Sequence, residues 1–137
     1  MKSTCISLLL FISTTLFAQQ ADDIIGKYHL PNGIDIKIYK VEDSYNGKII
    51  ALNEYPETKD KKNPNKSKRN DLLLGKVIIT NLKFDTDEKK WNKGKMYGPD
   101  KGINVNLEIT ASNKDKITIV VSKFVFWKTM KWKRIKD

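Results

Sequence analysis

The chain has 137 residues, 26 Lys and Arg against 16 Asp and Glu, a formal net charge of +10, one Cys and one His. That length supports one ordinary domain around a single core, and so few Cys and His exclude a disulfide framework, thiolate metal sites and His-rich metal clusters. The positive charge suits solubility, an anionic surface or an acidic protein partner.

At the N-terminus, Met1-Lys2 precedes an apolar run over residues 6–17 and then Ala18-Gln19-Gln20. A basic start, a short hydrophobic core and a small residue at the cut are the parts of a secretory signal peptide. Cleavage is expected after Ala18, leaving residues 19–137 as one periplasmic or secreted domain. The run is shorter than the roughly 20 apolar residues of a spanning helix, and Cys5 precedes it, where no lipid anchor could form. The product is therefore expected to be neither membrane-spanning nor lipidated. Export also argues against nucleic acid as the partner of the basic surface.

Residues 26–30 read as a first strand, stopped by the turn signal Pro31-Asn32-Gly33. In the second, Ile34, Ile36 and Ile38 alternate with Asp35, Lys37 and Tyr39, the period of two that sends one row inward and the other to water. After Glu42-Asp43-Ser44 a third strand covers residues 45–52. A long polar excursion follows over residues 60–75, without strand or helix period before Leu72 and with a turn signal at Asn63-Pro64. Its end, Leu72-Leu73-Leu74-Gly75, reads as an apolar anchor. Leu73 and Leu74 are expected to be buried, Gly75 to allow a close turn, and Asp60, Asn63, Pro64 and Arg69 to be tied down by local hydrogen bonds. The excursion would then be a rim or lid.

The fourth strand covers residues 77–84 and the fifth residues 91–97, ending in the turn Gly98-Pro99-Asp100-Lys101-Gly102. In the sixth, Ile103, Val105, Leu107, Ile109 and Ala111 share one face. The seventh runs over residues 117–126 and the eighth over 129–135. Eight successive antiparallel strands with short turns predict an all-β, single up-and-down barrel, which removes the exposed edges of an open sheet, with one long loop between the third and fourth strands. An eight-stranded interior can be filled by side chains or hold one small ligand.

Several pieces then fall into a recognisable order: Asp60, Asn63-Pro64, Arg69 and Leu73-Leu74-Gly75; the hairpin with Trp91, Gly94-Lys95, Tyr97, Pro99 and Gly102; and the terminal Trp132-Lys133-Arg134. With them the chain resembles, from about Asp22 to its C-terminus, the exported bacterial family called domain of unknown function 2147. The resemblance implies a small lipocalin-like (calycin) barrel. It also implies that Tyr28, on the first strand, is covered by Arg134 from the last, a cation over a ring that closes the barrel. The chain departs from the family at Tyr28, where a Trp is common, at Val120-Val121-Ser122, where Arg-Gly-Tyr is frequent, and at Trp127, which replaces a Gly.

His29 alone could serve His-based catalysis, and it sits at a strand end beside Pro31. No catalytic residue, metal or cofactor is assigned, and a non-enzymatic role is expected. Trp91, Tyr97, Phe124, Phe126 and Trp132 are the aromatic candidates for lining a ligand. The expected function is an exported, monomeric binding protein that carries or senses a small apolar or amphipathic molecule. The alternative is an interaction protein whose basic outer face meets an acidic partner or the cell envelope.

Overall fold

The computed structural model describes residues 19–137; the expected signal segment lies outside the described residues. A short 3-10 turn, Ala21–Ile24, leads into eight strands: β1 (Gly26–His29), β2 (Asp35–Val41), β3 (Ser44–Ala51), β4 (Val77–Asp85), β5 (Lys90–Gly98), β6 (Ile103–Ser112), β7 (Lys116–Lys123) and β8 (Phe126–Arg134). Each pairs antiparallel with its sequence neighbour, and β8 returns to β1, giving a closed up-and-down barrel. The closing seam is short: Tyr28 opposite Arg134 and His29 opposite Lys133.

Alternation decides what enters the interior. Ile36 and Ile38 of β2, Tyr45 and Ile49 of β3, Leu107 and Ile109 of β6 and Ile117 and Ile119 of β7 are all buried. With Tyr28, Trp91 and Trp132 they fill the barrel over most of its length. Two glycines make the filling possible. A Cβ on Gly47 would lie 2.9 Å from Cδ1 of Ile79, and one on Gly94 would lie 2.7 Å from Cδ1 of Leu82 and 2.9 Å from the Leu107 carbonyl. Ile79 and Leu82 occupy the volume those missing side chains leave.

The N-terminal turn plugs one end of the barrel. Ile24 is buried there, the Tyr28 hydroxyl donates to the Ile24 carbonyl (2.7 Å), and Trp91 Nε1 donates to the Ala21 carbonyl (2.8 Å). Arg134 completes the plug. Its Cζ stands 5.2 Å from the Tyr28 ring centroid, and its guanidinium donates to the Asn113 carbonyl (2.7 Å), to Ser112 Oγ (2.8 Å) and to the Asp23 carbonyl. Burial pushes the Tyr28 phenol up to about 12, with the Arg134 charge acting in the opposite sense.

The structure corrects the strand reading in two places. Ala111 does not continue the inner row of β6. The register shifts between Ile109 and Ala111, so that Ala111 pairs with Thr118 on the outer row and Ser112 with Ile117 on the inner one. That bulge is what turns the Ser112 hydroxyl toward Arg134. The seventh strand also ends sooner than expected, at Lys123, and the eighth begins at Phe126; the intervening turn is Phe124-Val125. It contains no Gly, Pro, Asn or Asp, and Phe124 takes the left-handed conformation (φ 55°) those residues usually supply.

If the interior is filled as described, Gly94→Ala will lower unfolding free energy by about 1–3 kcal/mol through overpacking against Leu82 and the Leu107 carbonyl. Urea denaturation checks this; an unchanged midpoint would show slack in the barrel wall.

Candidate functional site

Up-and-down connectivity puts alternate connections at opposite ends. The plugged end carries the N-terminal turn and the β2–β3, β4–β5 and β6–β7 connections. The other end carries the β1–β2 turn, the excursion between β3 and β4, and the β5–β6 and β7–β8 hairpins. Functional residues are sought at this second, open end.

The excursion is built around a buried carboxylate. Its two arms pair through an isolated bridge between Lys59 and Leu72, through Leu73 N–H to the Thr58 carbonyl (2.9 Å) and through Asp60 N–H to the Asp71 carbonyl (2.9 Å). Asp60 is buried and accepts from the Tyr97 hydroxyl (2.6 Å) on one oxygen; on the other it accepts from Asn63 Nδ2 (2.8 Å) and pairs with Lys76 Nζ (3.2 Å). Asn63 Oδ1 takes the Asn65 N–H (2.9 Å), so the turn through Pro64 is fixed, and Arg69 Nε donates to the Asn63 carbonyl (2.8 Å). Burial raises the Asp60 pKa, but the hydrogen bonds from Tyr97, Asn63 and Lys76 outweigh it and hold the carboxyl below its usual range. The Tyr97 phenol is pushed well up, by burial first and then by Asp60.

Beyond this knot the excursion clasps its neighbours. Lys62 Nζ donates to the Asp100 carbonyl (2.8 Å), and a Cβ on Gly102 would fall 1.9 Å from the Lys62 carbonyl oxygen, so only glycine lets the β5–β6 turn approach so closely. Asn53 Nδ2 donates to the Gly33 carbonyl (2.8 Å) in the β1–β2 turn. Gly75, with φ 86°, turns the chain so that its N–H reaches the Ile49 carbonyl (2.8 Å). Leu73 is the anchor, 1% exposed, but the expectation for Leu74 is corrected: it is 57% exposed. Leu74 stands at the corner of a turn closed by the Lys76 N–H donating to the Leu73 carbonyl (3.0 Å), so it projects into solvent while Leu73 faces in.

Inside this rim lies a mouth of about 220 Å³ lined by Leu30, Pro31, Asn32, Met96, Asp100, Lys128, Met130 and Trp132. A second recess of about 220 Å³ shares Lys128 and runs along β7–β8 past Val121, Lys123, Phe126 and Trp127. Register explains the lining. Opposite the inward residues Ile117, Ile119 and Val121 of β7 stand Trp132, Met130 and Lys128 of β8. Trp132 forms the floor at 1% exposure, and its Nε1 has no hydrogen-bond partner among the described residues. A buried unpaired donor costs about 1–3 kcal/mol.

Of the five aromatic residues expected to line a ligand, the structure brings Trp132 to the mouth. Trp91 lies in the plugged half, and Tyr97 is committed to Asp60. Phe124 and Phe126 do not line the interior: they are 90% and 76% exposed, because the strand turns at Phe124-Val125 and carries them past the rim. Phe126 touches only the second recess. Met130 shares the face of Trp132 by simple alternation in the eighth strand, but sequence reasoning missed Met96, which the irregularity between Trp91 and Gly94 sets inward, and Lys128, which joins the inner row because β8 begins at Phe126.

A closed eight-stranded antiparallel barrel, plugged by an N-terminal turn and open at the other end, is lipocalin-like. It superimposes with a TM-score of 0.71 at 22% identity, over 83% of this chain and 84% of the other, on a structure described as "Protein HP1028 from the human pathogen Helicobacter pylori belongs to the lipocalin family". The chain belongs to the bacterial family described as "Uncharacterized protein conserved in bacteria (DUF2147)", whose profile matches residues 26–134. No curated protein sequence matches it.

Two measurements test the rim. Leu73→Ala will cost about 2–5 kcal/mol of stability, while Leu74→Ala stays within about 0.5 kcal/mol of wild type; paired thermal melts separate them. Because the Asp60 pKa is depressed on folding, its stabilisation is present above the unfolded value and lost as pH falls through the folded one. The stability gap between wild type and Asp60→Asn in urea titrations will therefore be wide near pH ~7 and narrow near pH ~3. A gap independent of pH would mean that the carboxylate charge contributes nothing.

Proposed function

We propose that the protein binds one small amphipathic molecule at the open end of the barrel. The observation that carries this reading is Trp132: an indole N–H, buried and unpaired among the described residues, on the floor of a mouth whose walls are Leu30, Met96 and Met130. An acceptor atom on the ligand would satisfy that donor, and the methionines would adapt to an apolar chain. Asn32 and Lys128 at the rim suit a polar or acidic head group. The filled lower barrel sets the limit on size, so the ligand sits in the mouth and is not swallowed. Lipocalin-like architecture supports small-molecule binding, since a barrel of this size has room for one small ligand.

Binding, not catalysis, is the role proposed. The single His29 lies on the outer row of β1, paired through Nδ1 with Asp35 Oδ1 at 2.5 Å, and contributes nothing to the mouth. Export is proposed with it, on the strength of the apolar run at residues 6–17 and Ala18; N-terminal sequencing of exported protein is expected to begin at Gln19, and Met1 intact there would refute it.

The binding reading is tested by native mass spectrometry for a co-purified molecule and by titration with a medium-chain fatty acid, following the quenching of tryptophan emission. Trp132→Phe preserves the ring volume most closely and removes the donor, so affinity should fall about tenfold. Saturable binding absent at all concentrations, or equal affinity in the Phe variant, would overturn the assignment.

A further inference from the structure

The β7–β8 hairpin carries a feature that the mouth does not use. At its tip Phe124, Val125, Phe126 and Trp127 are 90%, 75%, 76% and 75% exposed, four consecutive large apolar residues in water. Such a cluster is costly to leave uncovered and marks an interaction site. Phe124 is also held at φ 55°, a strained conformation for a bulky residue where Asn or Gly would sit without cost. The turn thus tolerates strain and keeps an aromatic ring at its apex.

The surroundings indicate what covers it. Between Lys116 and Lys136 the chain contains no acidic residue. Lys123 and Lys128 flank the tip on the two strands, Lys101 lies beside the same recess, and Lys131 and Lys133 follow along β8. Rings at the apex with ammonium groups set back behind them match the layering of an anionic bilayer, in which acyl chains lie beneath phosphates. Trp and Phe favour that boundary, and each Lys near the surface adds to attachment. A protein partner fits less well. Stable protein interfaces bury about 1,200–2,000 Å² in all, which the apex of one hairpin does not supply.

We propose that the β7–β8 tip inserts into the surface of an anionic phospholipid bilayer, with Phe124, Phe126 and Trp127 in the interfacial layer and Lys123 and Lys101 against phosphates. The proposal is independent of whether the mouth takes a ligand. It has a geometric corollary: the tip and the mouth belong to the same end of the barrel, so a docked molecule turns its mouth to the membrane.

Trp127 provides the reporter, since Trp91 and Trp132 are buried. The full chain is mixed with vesicles of phosphatidylcholine, with or without phosphatidylglycerol, whose acyl chains carry bromine as a quencher. The expected result is quenching of exposed-tryptophan emission in the anionic vesicles, weaker in the neutral ones, and reduced but not abolished by about 1 M salt. Sedimentation with unbrominated anionic vesicles then compares wild type with Phe124→Asn/Phe126→Ser/Trp127→Ser. This variant keeps a residue suited to the turn and should melt as wild type does, and its vesicle affinity should fall at least about tenfold. The N-terminal segment is common to both chains and cancels in the comparison. Equal sedimentation of the two chains, absence of quenching, or complete release by salt would overturn insertion. So would dimerisation in solution that the same variant abolishes, which would assign the tip to a second copy of the chain.

Discussion

Closure of this barrel depends on Arg134. The β1–β8 seam has two residue pairs, extended by one hydrogen bond from Ile135 N–H to the Lys27 carbonyl (2.9 Å), whereas the other seams are longer. Arg134 offsets that weakness by tying four segments at one point: its own strand, the ring of Tyr28, the N-terminal turn at Asp23, and the end of β6 with the β6–β7 turn at Ser112 and Asn113. A lysine could supply the charge but not this planar set of donors directed at several acceptors. The bulge in β6 belongs to the same arrangement, because without it Ser112 would face outward.

With one end sealed, the two halves of the barrel divide the work. The plugged half is filled by Trp91, Tyr28, Tyr45 and isoleucines, aided by the absent side chains at Gly47 and Gly94, and this half supplies stability. The open half can then tolerate a mouth with an indole on its floor that has no hydrogen-bond partner among the described residues. Such a site is an energetic cost that the packed half supports. Asp60 performs for the rim what Arg134 performs for the plug. It is a buried charge with its oxygens occupied by Tyr97, Asn63 and Lys76, and it ties the excursion to β5 and to the start of β4.

The strands were legible because alternation of isoleucine with polar residues has one physical meaning, and the eight-stranded closed barrel follows from their number and short turns. The excursion's knot was legible in part, since Asn-Pro turns and an aspartate with an arginine nearby announce local hydrogen bonding. What escaped the sequence escaped for definite reasons. The Phe124-Val125 turn carries no turn residue, so the apolar run looked like continuous strand and placed Phe124 and Phe126 inside. Leu73 and Leu74 form one apolar run in the sequence, but the turn closed between Leu73 and Lys76 leaves Leu74 at its corner, in solvent. The mouth draws on β5, β8 and the β1–β2 and β5–β6 connections, a grouping that no local pattern reveals.

The rim is asymmetric, and the asymmetry follows from where the excursion reaches. It binds the β5–β6 turn through Lys62 and Gly102 and the β1–β2 turn through Asn53, drawing three of the four open-end connections into one braced wall. The fourth, β7–β8, receives none of these bonds. Its inner row, Trp132, Met130, Lys128 and Phe126, leads from the buried floor to the exposed tip. Because side chains alternate along a strand, one short sequence thereby lays apolar and basic groups in a line that starts in the mouth and ends in the solvent. Under the proposed function, a molecule with an apolar body and an acidic head would meet complementary groups at each step along that line, and the strand that forms the floor of the mouth would also be its path inward.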